Sequence, residues 1–134
     1  MSKQNVDFMH QWYAEVWNNK NENAIDELLH PDVKVYGLGA EPMSGIPAFK
    51  QFYYNFLKEV EDVKVDVERT IAEGDYIVAL CNVKAIHRQS GKPVSFSGTS
   101  IGHVVDYKLL AGWNHFDFLT MYMQTCKISP EQLL

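Results

Sequence analysis

The sequence predicts an α+β domain, because its hydrophobic period changes once along the chain. In roughly the first 60 residues, apolar side chains recur at the three- and four-residue spacing of amphipathic helices. From Val63 onward they alternate with polar residues, as in half-buried strands. A run of helices followed by a run of strands is typical of α+β architecture. The 134 residues suit one core, so residues 1–134 are predicted to form a single domain.

Three helices are predicted before the strands. The first is indicated by helical spacing over residues 6–17 and ends at the polar cluster 18–21. The second covers residues 24–29 and is stopped by Pro31, because a residue before proline disfavours helix. The third begins near Pro47, which suits a first helical turn, and carries an aromatic stripe up to Phe56.

Strands account for most of the remaining chain. An extended segment at residues 33–36 follows the second helix. Four long antiparallel strands are then predicted, separated by polar or glycine-containing turns at 73–75, 89–93 and 106–107. They cover residues 63–71, 76–87, 94–105 and a last strand that includes residues 113–121. Both faces of this last strand are apolar, so we expect a second copy of the chain to cover the face turned away from the helices, giving a homodimer.

The last strand also carries the polar residues most suggestive of chemistry. In a strand, Trp113, His115 and Asp117 project from one face. Unless the Asp117 carboxylate is paired or hydrogen-bonded, desolvation on an apolar face raises its pKa toward the range of a general acid or base, whereas a protonated His115 beside it would lower that pKa. Asp117 is therefore the predicted catalytic residue. We expect His115 to donate a hydrogen bond or act as a second proton carrier, and Trp113 to supply the desolvation.

Net charge and composition exclude several classes of binding partner. A formal net charge of −5 argues against a nucleic-acid-binding surface. No apolar run approaches the ~18 residues of a membrane span, and no basic-then-apolar segment opens the chain. Two cysteines, Cys81 and Cys126, do not make a disulfide framework and fit a reducing compartment. We expect a cytoplasmic protein that interacts with neither membrane nor nucleic acid.

Several strings, in their order and spacing, resemble the SnoaL-like polyketide cyclase branch of the NTF2-like, or cystatin-like, superfamily. They are Trp17-Asn18, residues 29–33 (LHPDV), residues 45–49 (GIPAF), residues 113–117 (WNHFD) and Gln124. The resemblance implies an NTF2-like cone, in which three N-terminal helices pack on a strongly bent, mainly antiparallel sheet around a pocket. It also implies intramolecular aldol chemistry without metal or organic cofactor, with Asp117 at the position of the acid/base carboxylate.

Other residues are candidates for the pocket wall, although a structural role in the core is the simpler explanation for the aromatic residues and the histidine, and a hydrogen bond between strands explains the threonine equally well. These predicted substrate-binding residues are Tyr13, Trp17, Tyr36, Tyr53, His87, Thr99 and Trp113. A metal site is the remaining alternative, because His115 and Asp117 with His87 or His103 have the composition of a facial triad. No motif fixes its third ligand, so we predict neither a metal nor another cofactor.

Two functions remain open at the level of sequence. The first is a cofactor-independent acid/base cyclase or isomerase that acts on a small apolar carbonyl compound. The second is a non-catalytic NTF2-like ligand-binding or interaction module, in which Asp117 only anchors a ligand or a neighbouring strand.

Overall fold

The computed structural model describes residues 2–125 and residue 131 and contains four helices and one six-stranded sheet within that part of the chain. The helices are α1 (Ser2–Trp12), α2 (Glu22–Leu28), α3 (Ile46–Glu59) and α4 (Phe118–Gln124). The strands are β1 (Leu29–Tyr36), β2 (Met43–Ser44), β3 (Val60–Glu73), β4 (Tyr76–His87), β5 (Pro93–Val105) and β6 (Lys108–Phe116). No helix in residues 2–125 is both long and apolar enough to cross a membrane.

The sheet has the strand order β2-β1-β6-β5-β4-β3 and is open at both edges. Neighbouring strands are antiparallel except β1 and β6, which run parallel. The pairing register shifts four times, and such irregularities bend a strand and increase its twist. The predicted α+β cone is confirmed. We call the side of the sheet that packs on the helices the concave face and the opposite side the convex face.

The first helix changes its winding at Tyr13, where α1 continues as a π-helical segment over Tyr13–Asn18. Asn18 fixes the end of this segment to the edge strand β3 through two hydrogen bonds with the backbone of Val65. Its Nδ2 donates to the Val65 carbonyl at 2.9 Å, and its Oδ1 accepts from the Val65 N–H at 2.6 Å. Single π-helical turns are frequent at functional sites, and Tyr13 is the first residue of this one.

The core lies between the helices and the concave face. Its fully buried side chains come from both layers, including Phe8 and Ile25 from the helices and Val63, Ile77 and Cys81 from the strands. Cys126 lies outside the described residues. The second helix ends before Pro31, as the sequence predicts, although β1 already begins at Leu29.

The predicted last strand is wrong beyond Phe116. Residues 118–124 form α4, which is held against β5 by Gln124: its Nε2 donates to the Ser95 carbonyl at 3.0 Å, and its Oε1 accepts from the Ser95 N–H at 2.9 Å. The apolar residues Leu119 and Met121 therefore belong to a helix and do not extend a strand face. The physical cause is a helix N-cap at Asp117, which competes with continued strand pairing.

Candidate functional site

A cavity of about 70 Å³ lies between the helices and the concave face. Its wall is almost entirely apolar and includes the rings of Trp12, Trp17, Phe49, Phe52, Phe56, Phe96, Phe116 and Phe118. Ligand pockets usually measure about 300–1,000 Å³, so a ligand of even modest size requires some of these rings to move. Four of the lining rings are only partly buried and therefore lie on the solvent side of the cavity: Phe52, Phe56, Phe116 and Phe118.

Trp17 organises the aromatic wall. Its ring lies 4.9 Å from that of Tyr53, 5.7 Å from Phe56 and 6.4 Å from Phe49 between centroids. Edge-to-face and tilted pairs of this kind contribute about 0.5–1.5 kcal/mol each beyond burial. The sequence-predicted residue Trp17 therefore borders the cavity and also supports its wall.

Tyr13 and Ser100 provide a polar point in this apolar wall. Their hydroxyl oxygens lie 2.7 Å apart and share a hydrogen bond, and both residues are buried and line the cavity. Burial raises the pKa of the Tyr13 phenol, so this hydroxyl keeps its proton and remains a hydrogen-bond donor. Burial also raises the pKa of the adjacent Cys81 thiol, to about 11, which makes it a poor nucleophile at neutral pH.

Asn114 supplies a third polar side chain to the cavity, after Tyr13 and Ser100. It faces Ser100 across the β5–β6 pair, and both project from the concave face. Its Nδ2 donates to the Tyr36 carbonyl at 3.0 Å, which fixes the orientation of the amide. Sequence reasoning missed both residues. Their signal is the run of small residues Gly98, Ser100 and Gly102 at alternate positions of β5, which leaves space on one face.

The alternation of β6 places the predicted chemistry on the opposite side of the sheet. Asn114 and Phe116 point into the cavity, so Trp113 and His115 point from the convex face. The ring of Trp113 stacks on Tyr36 at 5.7 Å, and His115 is exposed next to Thr99, its partner on β5. Alternation correctly places Trp113 and His115 on one face. That face is the convex one, however, so Trp113 and His115 do not line the interior cavity as expected.

Asp117 is exposed and hydrogen-bonded, so the desolvation that would raise the pKa of its carboxyl group is absent. It follows β6 as the N-cap of α4, where its Oδ1 accepts from the Thr120 N–H at 3.0 Å and its Oδ2 from the Thr120 hydroxyl at 2.6 Å. Both hydrogen bonds favour the charged form and hold the pKa of Asp117 below its usual range. The spacing of Asp117 and Thr120 was the missed signal of a helix start.

The convex face brings three of the predicted site residues together. Thr99, His115 and Asp117 line a shallow, open depression of about 530 Å³, together with Leu80 and Ser97. Its polar lining and exposure contrast with the interior cavity. Trp113 and Tyr36 lie on the same face of the sheet, beside this depression but not in its lining.

The remaining predicted residues lie apart from both spaces. Tyr53 is buried in the core, where its hydroxyl donates to the Val16 carbonyl at 2.8 Å. His87 ends β4, with its Nδ1 2.8 Å from the Ser90 hydroxyl and its Nε2 4.0 Å from a Glu59 carboxylate oxygen. Among the described residues, no group of three or more histidine, cysteine, aspartate or glutamate side chains is arranged to hold a metal ion.

Comparison with known proteins agrees with this fold. The sequence model of the SnoaL-like polyketide cyclases matches residues 8–125. The chain belongs to the SnoaL-like polyketide cyclase family. A search of curated proteins gave no significant match.

Three solved structures illustrate the similarity. A protein from Bacillus cereus ATCC 10987, attributed to the polyketide cyclases, is 25% identical with a TM-score of 0.83, over 94% of this chain and 83% of that one. AclR from Streptomyces galilaeus, to which a hydroxylase activity is attributed, is 19% identical with a TM-score of 0.85, over 96% and 99%. A Catenulispora acidiphila DSM 44928 protein with a ketosteroid isomerase-like fold, in complex with trimethylamine, is 16% identical with a TM-score of 0.79, over 92% and 97%.

Proposed function

We propose that this SnoaL-like protein binds a small, largely apolar carbonyl compound in the interior cavity and polarises its carbonyl group. The observation that carries the proposal is the Tyr13–Ser100 hydroxyl pair within an otherwise aromatic wall. The apolar rings contribute affinity through burial, and the few polar groups fix orientation. Asn114 adds an amide next to the same point.

Tyr13 is the residue suited to contact the ligand oxygen. Its hydroxyl retains the proton because burial raises its pKa, so it can donate to a carbonyl oxygen while Ser100 rearranges. A neutral donor in a low-dielectric cavity stabilises developing negative charge on that oxygen more strongly than water does. None of the described residues that line the cavity carries a carboxylate or an imidazole. The geometry therefore supports binding and polarisation better than proton abstraction within the cavity.

Binding can be followed by tryptophan fluorescence, because Trp12 and Trp17 line the cavity. A Trp113→Phe background removes the tryptophan on the convex face. We expect 9-fluorenone, a planar three-ring ketone, to quench the remaining fluorescence saturably. Tyr13→Phe should weaken its affinity roughly tenfold, the equivalent of one hydrogen bond of about 1.4 kcal/mol. Tyr54→Phe is the matched control, because Tyr54 is exposed. Absence of saturable quenching, or equal affinities for Tyr13→Phe and its parent, would contradict the proposal.

A second function, that of a cofactor-independent acid/base cyclase or isomerase, is favoured by one observation. Thr99, His115 and Asp117 line the same depression on the convex face. There Asp117 would accept a proton α to a carbonyl, and His115 would donate a hydrogen bond to the resulting enolate oxygen. The lowered pKa of Asp117 makes it a weak base, so such a site depends on strong stabilisation of the enolate.

Exchange of the α-protons of 1-indanone in D₂O, followed by NMR, separates the two functions without knowledge of the natural substrate. An acid/base enzyme accelerates exchange above the buffer rate, and Asp117→Asn abolishes the acceleration. Asparagine is an equally good N-cap, so this variant should keep α4 and the melting temperature. Asp66→Asn, at another exposed aspartate, is the control. Exchange at the buffer rate with saturable ketone binding would support the binding module.

We also propose that the chain forms a homodimer in which the convex faces of two copies pack against each other. Large apolar side chains are exposed there on adjacent strands: Ile71 is 62% exposed, Tyr76 46% and Leu80 36%. Patches of this kind mark interaction surfaces. Sedimentation equilibrium over the micromolar range should give a dimeric mass, and Leu80→Lys should shift it to the monomer. A monomeric mass at all concentrations would contradict the proposal.

A further inference from the structure

Two glycines face each other on the concave face where backbone conformation does not require them. Gly102 of β5 and Gly112 of β6 are direct partners, line the cavity and lie outside the positive-φ region. Glycine inside a strand weakens the strand and often marks a close approach of another group. Glycine is therefore needed at these two positions to leave room for a neighbouring group, and not to allow an unusual backbone conformation.

Leu109 occupies that space. A methyl group built on Gly102 would lie 2.9 Å from Leu109 Cδ1, which is closer than side chains pack, and 3.4 Å from Met9 Sδ. A methyl group on Gly112 would lie 3.5 Å from Leu109 Cδ2, which is ordinary contact. Leu109 is buried and lines the cavity. Its isobutyl group thus packs over the glycine pair and occupies part of the space that the missing side chains leave beside the cavity.

We infer that Leu109, resting on the Gly102–Gly112 pair, determines the length of ligand that the cavity accepts. This inference rests on the proposed function. Ser100 and Asn114 are the next concave-face pair along the same strands, two residues from the glycines. A ligand whose oxygen is held by Tyr13 and Ser100 therefore meets Leu109 where it extends over the glycines. Removal of the Leu109 side chain would deepen the cavity in that direction and leave the polar contacts in place.

The test compares ketones of increasing length: 1-indanone with two rings, 9-fluorenone with three and benzanthrone with four. Affinities are measured by quenching of Trp12 and Trp17 in the Trp113→Phe background. Leu109→Ala should raise the affinity ratio of benzanthrone to 1-indanone about tenfold or more, since pockets discriminate by at least that factor per methylene group. Leu109→Val should raise the same affinity ratio by a smaller factor. This variant replaces Leu109→Ala in the test if the alanine variant does not fold.

Partly refilling the space provides a control. Gly112→Ala adds a methyl group at ordinary contact distance from Leu109, so adding it to Leu109→Ala should move the ratio part of the way back toward the parent value, because one carbon is added where three were removed. Gly39→Ala, in an exposed loop where a methyl group also fits, should leave every ratio unchanged. If the ketones bind but Leu109 variants change all affinities alike, the inference is overturned and the proposed function stands. If no ketone binds to parent or variants, both fail.

Discussion

The two faces of β5 and β6 differ in their side chains and in their exposure to solvent, although the same strands form both. On the concave face, these strands present small and polar residues, including Ser100 and Asn114, and aromatic rings line the same cavity. The convex face presents Trp113, His115 and Thr99 at an open surface. A hydroxyl is strongly constrained on the first face and readily hydrated on the second. His115 and Asp117, which belong to the residue types most often used in acid/base catalysis, therefore lie on the more solvated side of the sheet.

The largest expected difference between the faces is in packing. Trp17→Ala should reduce the free energy of unfolding by about 3–5 kcal/mol, because the indole is 8% exposed and contacts four other rings. Trp113→Ala, on the convex face, should cost only about 1 kcal/mol. Urea denaturation at one protein concentration measures both values. Equal losses would remove the distinction between a packed and a partly solvated tryptophan.

The buried hydroxyl pair should give the next largest effect. Tyr13→Phe leaves the Ser100 hydroxyl buried without its partner, and Ser100→Ala leaves the Tyr13 hydroxyl with only the weakly hydrogen-bonding Cys81 thiol, so each should cost about 1–3 kcal/mol. Because either change removes the same hydrogen bond, the double variant should cost less than the sum of the two, by roughly 1 kcal/mol. Chemical denaturation of the four proteins gives the coupling, with Tyr54→Phe expected to have no effect. Strict additivity would show that the pair is not coupled.

Asp117 should give the smallest effect, and one that depends on pH. Its folded pKa is lowered, so its carboxylate stabilises the fold above the unfolded pKa of about 3.9, and this contribution is lost as pH falls through the folded value. Asp117→Ala should therefore lower the melting temperature at pH 7, and the difference from the parent should close in acid. Asp117→Asn should stay near the parent at pH 7, because it keeps the N-cap. A gap for Asp117→Ala that widened in acid would instead indicate a raised pKa, as expected for a desolvated carboxylate.

Local patterns predicted most of the elements. The alternation over Tyr76–His87 reproduces β4 at both ends, because the turns on either side contain strong local signals such as Gly74 and Gly91. Pro31 correctly limits the second helix. The aromatic residues Tyr13 and Trp17 were identified as candidates for a cavity wall, and the structure places both in its lining. Their role in substrate binding stays a prediction.

The site was harder to predict because both faces of β6 are apolar. Alternation groups Trp113 with His115 and Asn114 with Phe116, but hydrophobicity does not say which group faces the helices. Asp117 lay at a boundary where two local signals compete, strand alternation before it and a helix N-cap after it. Hydrogen bonds to Thr120 decide the outcome, and they reverse the direction of its pKa shift.

The sequence by itself determined the α+β class and the order of the first three helices and the long strands, because these depend on periodicity and turn residues that act over a few positions. The family was indicated by the resemblance of several strings in their order and spacing. Only the tertiary structure decided which face of β6 borders the cavity, that Tyr13 meets Ser100, and that Leu109 rests on the glycine pair. These contacts join residues up to 87 positions apart. They depend on how the helices pack on the bent sheet, and no local pattern encodes that packing.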